Sequence, residues 1–363
     1  VAALALALMA PPPARAAPQL RWRPRLGLAA GWDDNVLFEP QADGDGLGRA
    51  QARLGLRAWD RSWRLDGEVG GAVLRFVEHG RTVWLGETTW KGHVQLDRTW
   101  RLGAQVRVRA ADDPLALAQV GLLAGRGRTL GFRDSVFAEQ RLGRRWKLLE
   151  TLRFDGVKFF DPSAGRDGQA VTVELAPSLR ATRALTLRPA LEGRVYFQDG
   201  VRGESLALVG GVRWRTARRT FVEAGVGPLV YRDDAGALGR AVVRARAQHE
   251  WRMAALEATV SHDLTVPAGR GGVLAGQLAE VVGRWGPRDW ELRARGGAYR
   301  SHPSPRDERW VPGWGYETSA FRRLLPALWV GVSAMRFERL ASSVEPAVSR
   351  DSLWLRVELG ERP

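Results

Sequence analysis

From residue 18 onward the chain alternates apolar and polar side chains with a period of two. Over 49–58, Ala50, Ala52, Leu54, Leu56 and Ala58 interleave with Arg49, Gln51, Arg53, Gly55 and Arg57. The same alternation sets Leu102, Ala104, Val106, Val108 and Ala110 against Arg101, Gln105, Arg107 and Arg109. It sets Leu185, Leu187, Leu191, Val195 and Phe197 against Thr186, Arg188, Glu192, Arg194 and Gln198. It recurs at Leu206, Leu208, Val212 and Trp214 against Ser205, Arg213 and Arg215, and at Leu353, Leu355, Val357 and Leu359 against Trp354, Arg356 and Glu358. Successive side chains of a strand point to opposite faces, so each segment predicts a strand with one apolar and one charged face. Wound as a helix, the same residues would scatter arginine around the axis and bury several. No long stretch carries helical spacing.

A longer regularity overlies the first. Short polar turns recur, each followed by an apolar residue that opens the next strand: 60–63, 97–100, 144–146, 181–185, 216–219, 250–252, 286–290 and 322–324. More variable breaks, several rich in Gly, Asp and Pro, fall between them at 34–48, 111–127, 161–168, 232–238, 263–272, 301–312 and 339–349. Eight turns join eight pairs of strands and leave one strand over at each end, which gives eighteen. Short turns on one side and long loops on the other predict an all-β fold: a closed antiparallel transmembrane β-barrel of 16 to 18 strands in a bacterial outer membrane. A propeller would share the repeat length, but its blades bury strands on both faces, whereas here one face stays charged on strand after strand. Trp63, Trp100, Trp146 and Trp290 sit at short-turn ends, where an interfacial aromatic girdle is expected. Pro177 and Pro189 remove ladder donors and are therefore expected at the rim, beside the turn at 181–184.

The N-terminus reads differently. Val1 to Met9 is an apolar run, followed by Pro11 to Pro13 and then Ala14-Arg15-Ala16-Ala17. An apolar stretch ahead of a small-x-small site predicts a secretory signal peptide, 1–16, cut after Ala16, with the barrel over 17–363. No segment reaches the roughly 20 apolar residues of a membrane-spanning helix.

Composition narrows the chemistry. Cysteine is absent, which removes disulfides, thiolate metal sites and a cysteine nucleophile. The formal net charge is +15, and with lysine only at 91, 147 and 158, arginine supplies the other 52 of the 55 basic residues. Abundant Ala, Gly, Leu and Arg match the codon bias of a GC-rich genome. No nucleic-acid-binding module accompanies the basic charge. Ser261-His262-Asp263 contains the residue types of a catalytic triad, but strand neighbours face opposite ways, so no enzyme is expected. His79, His93, His249, His262 and His302 show no metal-ligand spacing. Asp43-Gly44-Asp45-Gly46, with Asp33 and Asp34 nearby, offers oxygen ligands but lacks the later Glu of an EF-hand loop and reads as a solvated loop. No cofactor or metal is expected.

The charged face carries the functional content. Arg53, Arg57, Arg107, Arg109, Arg188, Arg194, Arg213, Arg215, Arg244, Arg246, Arg293 and Arg295 all fall on it and are expected to line the lumen of a closed barrel and meet the substrate there. Rings of arginine favour anions, and the guanidinium fork matches carboxylate and phosphate. Glu87, Glu174, Glu192, Glu257 and Glu291 share the face, so part of the arginine is expected to be spent in salt bridges along the wall. Tyr196 and Trp354 also point inward, where aromatic faces stack on sugar rings.

Gly31-Trp32-Asp33-Asp34-Asn35-Val36, closing the first strand, resembles a motif near the start of several Gram-negative barrels. Together with the arginine-rich strands and their number, it makes the chain similar to outer-membrane barrels associated with exopolysaccharide biosynthesis and export, of the myxobacterial polysaccharide-secretion type. Many barrels end on an aromatic residue; this chain ends Leu359-Gly360-Glu361-Arg362-Pro363. The resemblance implies passive export of an anionic polysaccharide through a basic lumen, with membrane lipid, lipopolysaccharide, the secreted polymer and a periplasmic polysaccharide export protein as partners. A general anion-selective porin for small solutes is the alternative, favoured if 112–127 folds into the lumen. A structural or adhesive barrel is a third reading.

Overall fold

The computed structural model describes residues 18–36, 41, 43–112, 128–161, 167–198, 201–265, 274–287, 289–302, 309–343 and 346–360. The expected signal peptide, 1–16, and residues 113–127 of the expected break lie outside them. Among the described residues all regular structure is strand. In chain order these are β1 (Gln19–Asp33), β2 (Asp45–Trp59), β3 (Trp63–Phe76), β4 (Thr82–Gln95), β5 (Trp100–Ala111) and β6 (Thr129–Arg141). Next come β7 (Trp146–Phe159), β8 (Gly168–Arg180), β9 (Leu185–Leu187), β10 (Ala190–Gln198), β11 (Val201–Ala217), β12 (Thr220–Asp233) and β13 (Gly236–Glu250). The chain finishes with β14 (Ala254–Thr265), β15 (Leu274–Trp285), β16 (Trp290–His302), β17 (Val311–Leu325), β18 (Leu328–Arg339) and β19 (Val348–Gly360).

Each strand pairs antiparallel with its sequence neighbours. β9 and β10 both lie between β8 and β11, and are two pieces of one wall strand. Pro189 stands in the break between them and has no amide to donate. The wall therefore has eighteen strands, and β1 closes it against β19 from Arg25↔Gly360 to Asp33↔Ser352. Closure leaves no open edge, which is what lets a sheet stand in lipid.

The seam is locked by the early Gly-Trp-Asp-Asp-Asn-Val segment. Asp33 is fully buried and forms an ion pair with Arg350 of β19 at 2.7 Å. The Asp34 carboxylate accepts the Asp351 amide at 2.6 Å, and the Asn35 side-chain amide donates to the Ser349 carbonyl at 2.9 Å. Three consecutive polar residues thus fasten the first strand to the last.

The alternation sorts side chains as the sequence predicts. Leu28, Val226 and Leu355 are 66%, 60% and 64% exposed on the outer face, a level of large apolar exposure that suits hydrocarbon and not water. Trp146, Trp214, Trp251, Trp285 and Trp290 are exposed at the short-turn end, and Trp32, Trp84, Phe160 and Phe197 at the loop end, so an aromatic girdle stands at each interface. Trp63 and Trp100 open β3 and β5 as expected.

Three boundaries differ from the sequence expectation. The break expected over 232–238 is a two-residue turn, because the Asp233 carboxylate accepts the Ala235 amide at 2.9 Å and Gly236 takes φ +110°, so pairing continues to Asp233↔Gly236. The last short turn lies at Pro326-Ala327 and not at 322–324, since Arg322 and Arg323 still pair with Val330 and Trp329. The break at 34–48 ends early, at Asp45. The break required between the turns at 60–63 and 97–100 lies at 77–81.

Two apolar clusters lie inside the wall at the loop end. One gathers Val36, Leu47, Leu74, Phe76 and Val83; the other gathers Tyr196, Val209, Leu229, Tyr231, Val242 and Leu264. The interior is therefore polar and charged only in part of its height.

The seam makes a stability prediction. Asp33→Ala leaves the Arg350 guanidinium, 15% exposed, without its carboxylate. Breaking such a pair costs about 3–5 kcal/mol. Denaturant unfolding in lipid vesicles is expected to show a loss of that order, whereas Asp34→Ala, which removes one acceptor from a backbone amide, is expected to cost about 1–3 kcal/mol.

Candidate functional site

Two cavities open on the inward face among the described residues. The first, about 1060 Å³, is bordered by β1 to β5 and by Arg293 and Arg295 of β16. The second, about 770 Å³, is bordered by β5 to β8, β10 and β14 to β16. Arg107, Arg109 and Arg295 border both. β5 and β16 are ten wall steps apart one way and eight the other, so these three arginines face the same cavities from nearly opposite sides of the barrel.

Charge in the first cavity is strongly one-sided. Arg23 and Arg25 come from β1, and Arg49, Arg53 and Arg57 from β2. Lys91, Arg107 and Arg109 follow from β4 and β5, and Arg293 and Arg295 face them, which makes ten bases. Three carboxylates line the cavity with them, Asp66, Glu68 and Glu87, and two more, Glu280 and Glu291, pair with Arg295 and Arg293 from outside its lining. Each lining carboxylate already serves two arginines. Asp66 binds Arg57 and Arg64, both at 2.5 Å; Glu68 binds Arg25 and, at 3.2 Å, Arg53; Glu87 binds Arg107 at 2.8 Å and Arg109 at 3.0 Å. Arg23, Arg49 and Lys91 make no ion pair with a described residue.

The β10 to β14 side is built differently. Arg194 pairs with Glu192 and, at 3.0 Å, with Asp263; Arg244 pairs with Glu192 at 2.9 Å and with Asp263 at 2.5 Å. Glu192 sits on β10, Arg244 on β13 and Asp263 on β14, which are three and four wall steps apart. Side chains bridge such strands only where the wall curls tightly back on itself. The second apolar cluster fills the curl, and Tyr196 closes it with a 3.2 Å hydrogen bond between its hydroxyl and that of Ser205. This lobe is packed and contributes little to open space.

The twelve arginines expected to line the lumen therefore separate into groups. Arg53, Arg57, Arg107, Arg109, Arg293 and Arg295 border the first cavity. Arg194 and Arg244 belong to the neutral ion-pair lattice of the lobe. Arg188 pairs with Glu223, and Arg246 with Glu257 at 2.8 Å. Arg213 lies 4.2 Å from the centre of the Phe221 ring, a cation–π contact in place of an ion pair. Arg215 makes no ion pair with a described residue. Arg295 also binds Glu280 at 2.5 Å, and Arg293 binds Glu291.

Arg23, Arg25, Arg49, Arg133, Arg153 and Arg300 line the cavities as well and stand outside the expected set. Their signal was present: Arg49 begins the alternation of 49–58, and Arg21, Arg23 and Arg25 alternate with Trp22 in β1. Tyr196 and Trp354 do face inward, but Tyr196 is 2% exposed, which leaves no ring face for a sugar.

The other candidate chemistry resolves structurally. Ser261 and Asp263 line the second cavity and His262 does not, as strand alternation requires. The acidic loop is not simply solvated. Asp45 is buried and accepts the amides of Val77, Glu78 and His79 at 2.8 to 3.1 Å. The two ring nitrogens of His79 contact Asp45 at 2.8 Å and Asp43 at 2.9 Å. No group of three or more potential metal ligands occurs among the described residues.

The closed wall, apolar exterior and paired girdles define a transmembrane β-barrel of the bacterial outer membrane. No family model matches the chain, and no curated protein matches it. Among solved structures, it is similar to Pseudomonas aeruginosa OccK2 (OpdF) in complex with glucuronate, at 11% identity and TM-score 0.46, over 94% of this chain and 98% of that one. OpdK of Pseudomonas aeruginosa aligns at 10% identity and TM-score 0.47 over 94% and 99%. The ferric enterobactin receptor PfeA of the same organism aligns at 7% identity and TM-score 0.48 over 93% and 80%. These are likenesses of barrel architecture.

His79 yields a pH prediction. Hydrogen bonds to Asp45 and Asp43 hold its imidazolium above the ordinary histidine value of 6.5. Because the folded value is raised, the latch contributes fully below pH 6.5 and is lost as pH rises through the elevated value. An NMR titration of the His79 ring is expected to show a midpoint above 6.5, moved down by Asp43→Asn.

Proposed function

We propose that this protein is a passive outer-membrane diffusion channel for small anionic solutes. The observation that carries the reading is the first cavity: ten bases against three carboxylates in its lining, within a wall closed to lipid. A low-dielectric wall lined with one sign of charge focuses the field and concentrates the opposite ion. Arginine is suited to the task, since it stays charged at any physiological pH and offers a planar fork to carboxylate or phosphate. Pairing with Asp66, Glu68 and Glu87 holds several of these forks in place along the wall, so a passing anion exchanges partners and is not trapped. Nothing in the reading asks for catalysis: Ser261 and Asp263 point to the cavity while His262 points away.

Export of an anionic polysaccharide, with a periplasmic export protein behind the barrel and lipopolysaccharide around it, is the second reading. It draws support from the basic strip that runs over β1, β2 and β5, which offers a polymer successive contacts. The packed lobe, which takes several strands out of the open interior, favours the smaller cargo.

Planar-bilayer recording under a salt gradient tests the channel. The reversal potential is expected to report anion selectivity. Reversing Arg107 and Arg295 to Glu is expected to lower the anion-to-cation permeability ratio by about threefold or more. A channel without anion preference would sink the proposal. A deletion strain that lost one surface polymer, with anion uptake unchanged, would favour the second reading.

A further inference from the structure

We propose that Arg49 is the centre of a discrete binding site for a monocarboxylate with an apolar body, located inside the first cavity beneath the loop-end apolar cluster. The inference rests on the anion-channel reading and goes beyond it, from a general field to one saturable site.

Three observations converge on Arg49. Its Nε is buried with no hydrogen-bond partner, and it makes no ion pair with a described residue. An unsatisfied buried donor on a permanent cation is costly and calls for an acceptor. The charge around it does not supply one. Arg53 and Arg356 are the nearby cations, and Glu317 and Glu358 act on it only from beyond ion-pair distance. Glu317 lies 4.0 Å from Arg356, and Arg53 is taken by Glu68. A single bound carboxylate would provide the missing acceptor.

The neighbouring rows set the rest of the ligand. Across the sheet Arg49 stands between Ala29 and Leu74, and Leu74 between Arg49 and Val83. The next row inward carries Gln51, Ala72 and Leu85, all of which border the cavity with Arg49. Gly27 opposes Gln51, and a Cβ there would lie 2.6 Å from the Gln51 Nε2, so the glycine lets the amide lie flat against the wall. The result is one guanidinium beside an aliphatic shelf of Ala72 and Leu85, with an amide at its side. A strongly hydrated anion such as phosphate would lose water against that shelf without compensation. A carboxylate on a short alkyl chain places its charge on Arg49 and its methylenes on the shelf.

Arg23 is the natural comparison. It has the same buried, unpartnered Nε and borders the same cavity, yet its row holds Gly55 and Glu68 and no apolar side chain.

The test is calorimetric titration of butyrate into the full-length barrel in detergent micelles, with phosphate as the second probe. Saturable butyrate binding is expected, with phosphate about tenfold weaker or more. Arg49→Gln is expected to weaken butyrate about tenfold or more, Arg49→Lys less, and Arg23→Gln by less than either. Heat-dependent migration on a denaturing gel confirms that each variant is folded. Butyrate binding that survives Arg49→Gln, or that Arg23→Gln removes instead, overturns the site. So does phosphate binding as tight as butyrate. Anion selectivity in the bilayer with no butyrate binding would overturn the site alone; loss of both would overturn the channel reading with it.

Discussion

Everything in this molecule follows from the hydrogen-bond ladder that joins β1 to β19. In hydrocarbon an unpaired amide has no water to turn to, so a sheet survives there only if its last strand finds its first. Once the ring is closed, strand alternation leaves no choice about where side chains go. One set meets lipid and the other meets the interior. The high arginine content becomes tolerable under this constraint, because almost every strand has a second face on which charge can be kept. The seam shows how much is invested in closure: Asp33, Asp34 and Asn35 each bond to the last strand, two of them through its backbone.

Inside the ring the governing quantity is the local ratio of arginine to carboxylate. In the lattice that joins β10, β13 and β14 the two balance. Glu192 and Asp263 match Arg194 and Arg244, and the wall folds onto itself around an apolar filling. Along β1 to β5 they do not balance, the wall stays apart, and space remains. Like-charged walls resist collapse and neutral ones permit it. The same alternating sequence thus produces a packed lobe in one arc and a basic chamber in the other.

Much of the architecture was legible in the sequence because its signal is local. The period of two fixed the strands, the short turns fixed their number, and Trp63, Trp100, Trp146 and Trp290 marked one interface. What escaped notice was non-local. Arg194 has Glu192 two residues away on its own face, but the contacts that tie the lattice across the wall, Arg194 to Asp263 and Arg244 to Glu192, span 69 and 52 residues of chain. Nor does alternation tell whether an inward Leu229 or Val242 meets water or another side chain, since that depends on curvature. Boundaries slipped where a single side chain decided the turn, as Asp233 does ahead of Gly236. The Gly-Trp-Asp-Asp-Asn-Val segment was read for likeness, and its work at the seam became visible only when β19 was set beside it.

The packed lobe separates two quantities that are usually read from each other. In an evenly round barrel, adding a hairpin widens the bore. Here several strands lengthen the circumference without enlarging the passage, because their inner faces are spent on one another. Strand number and inner width are then separate quantities, and either can change while the other stays fixed. A change of one ion pair in the lobe is then a route to a wider interior that requires no new strand.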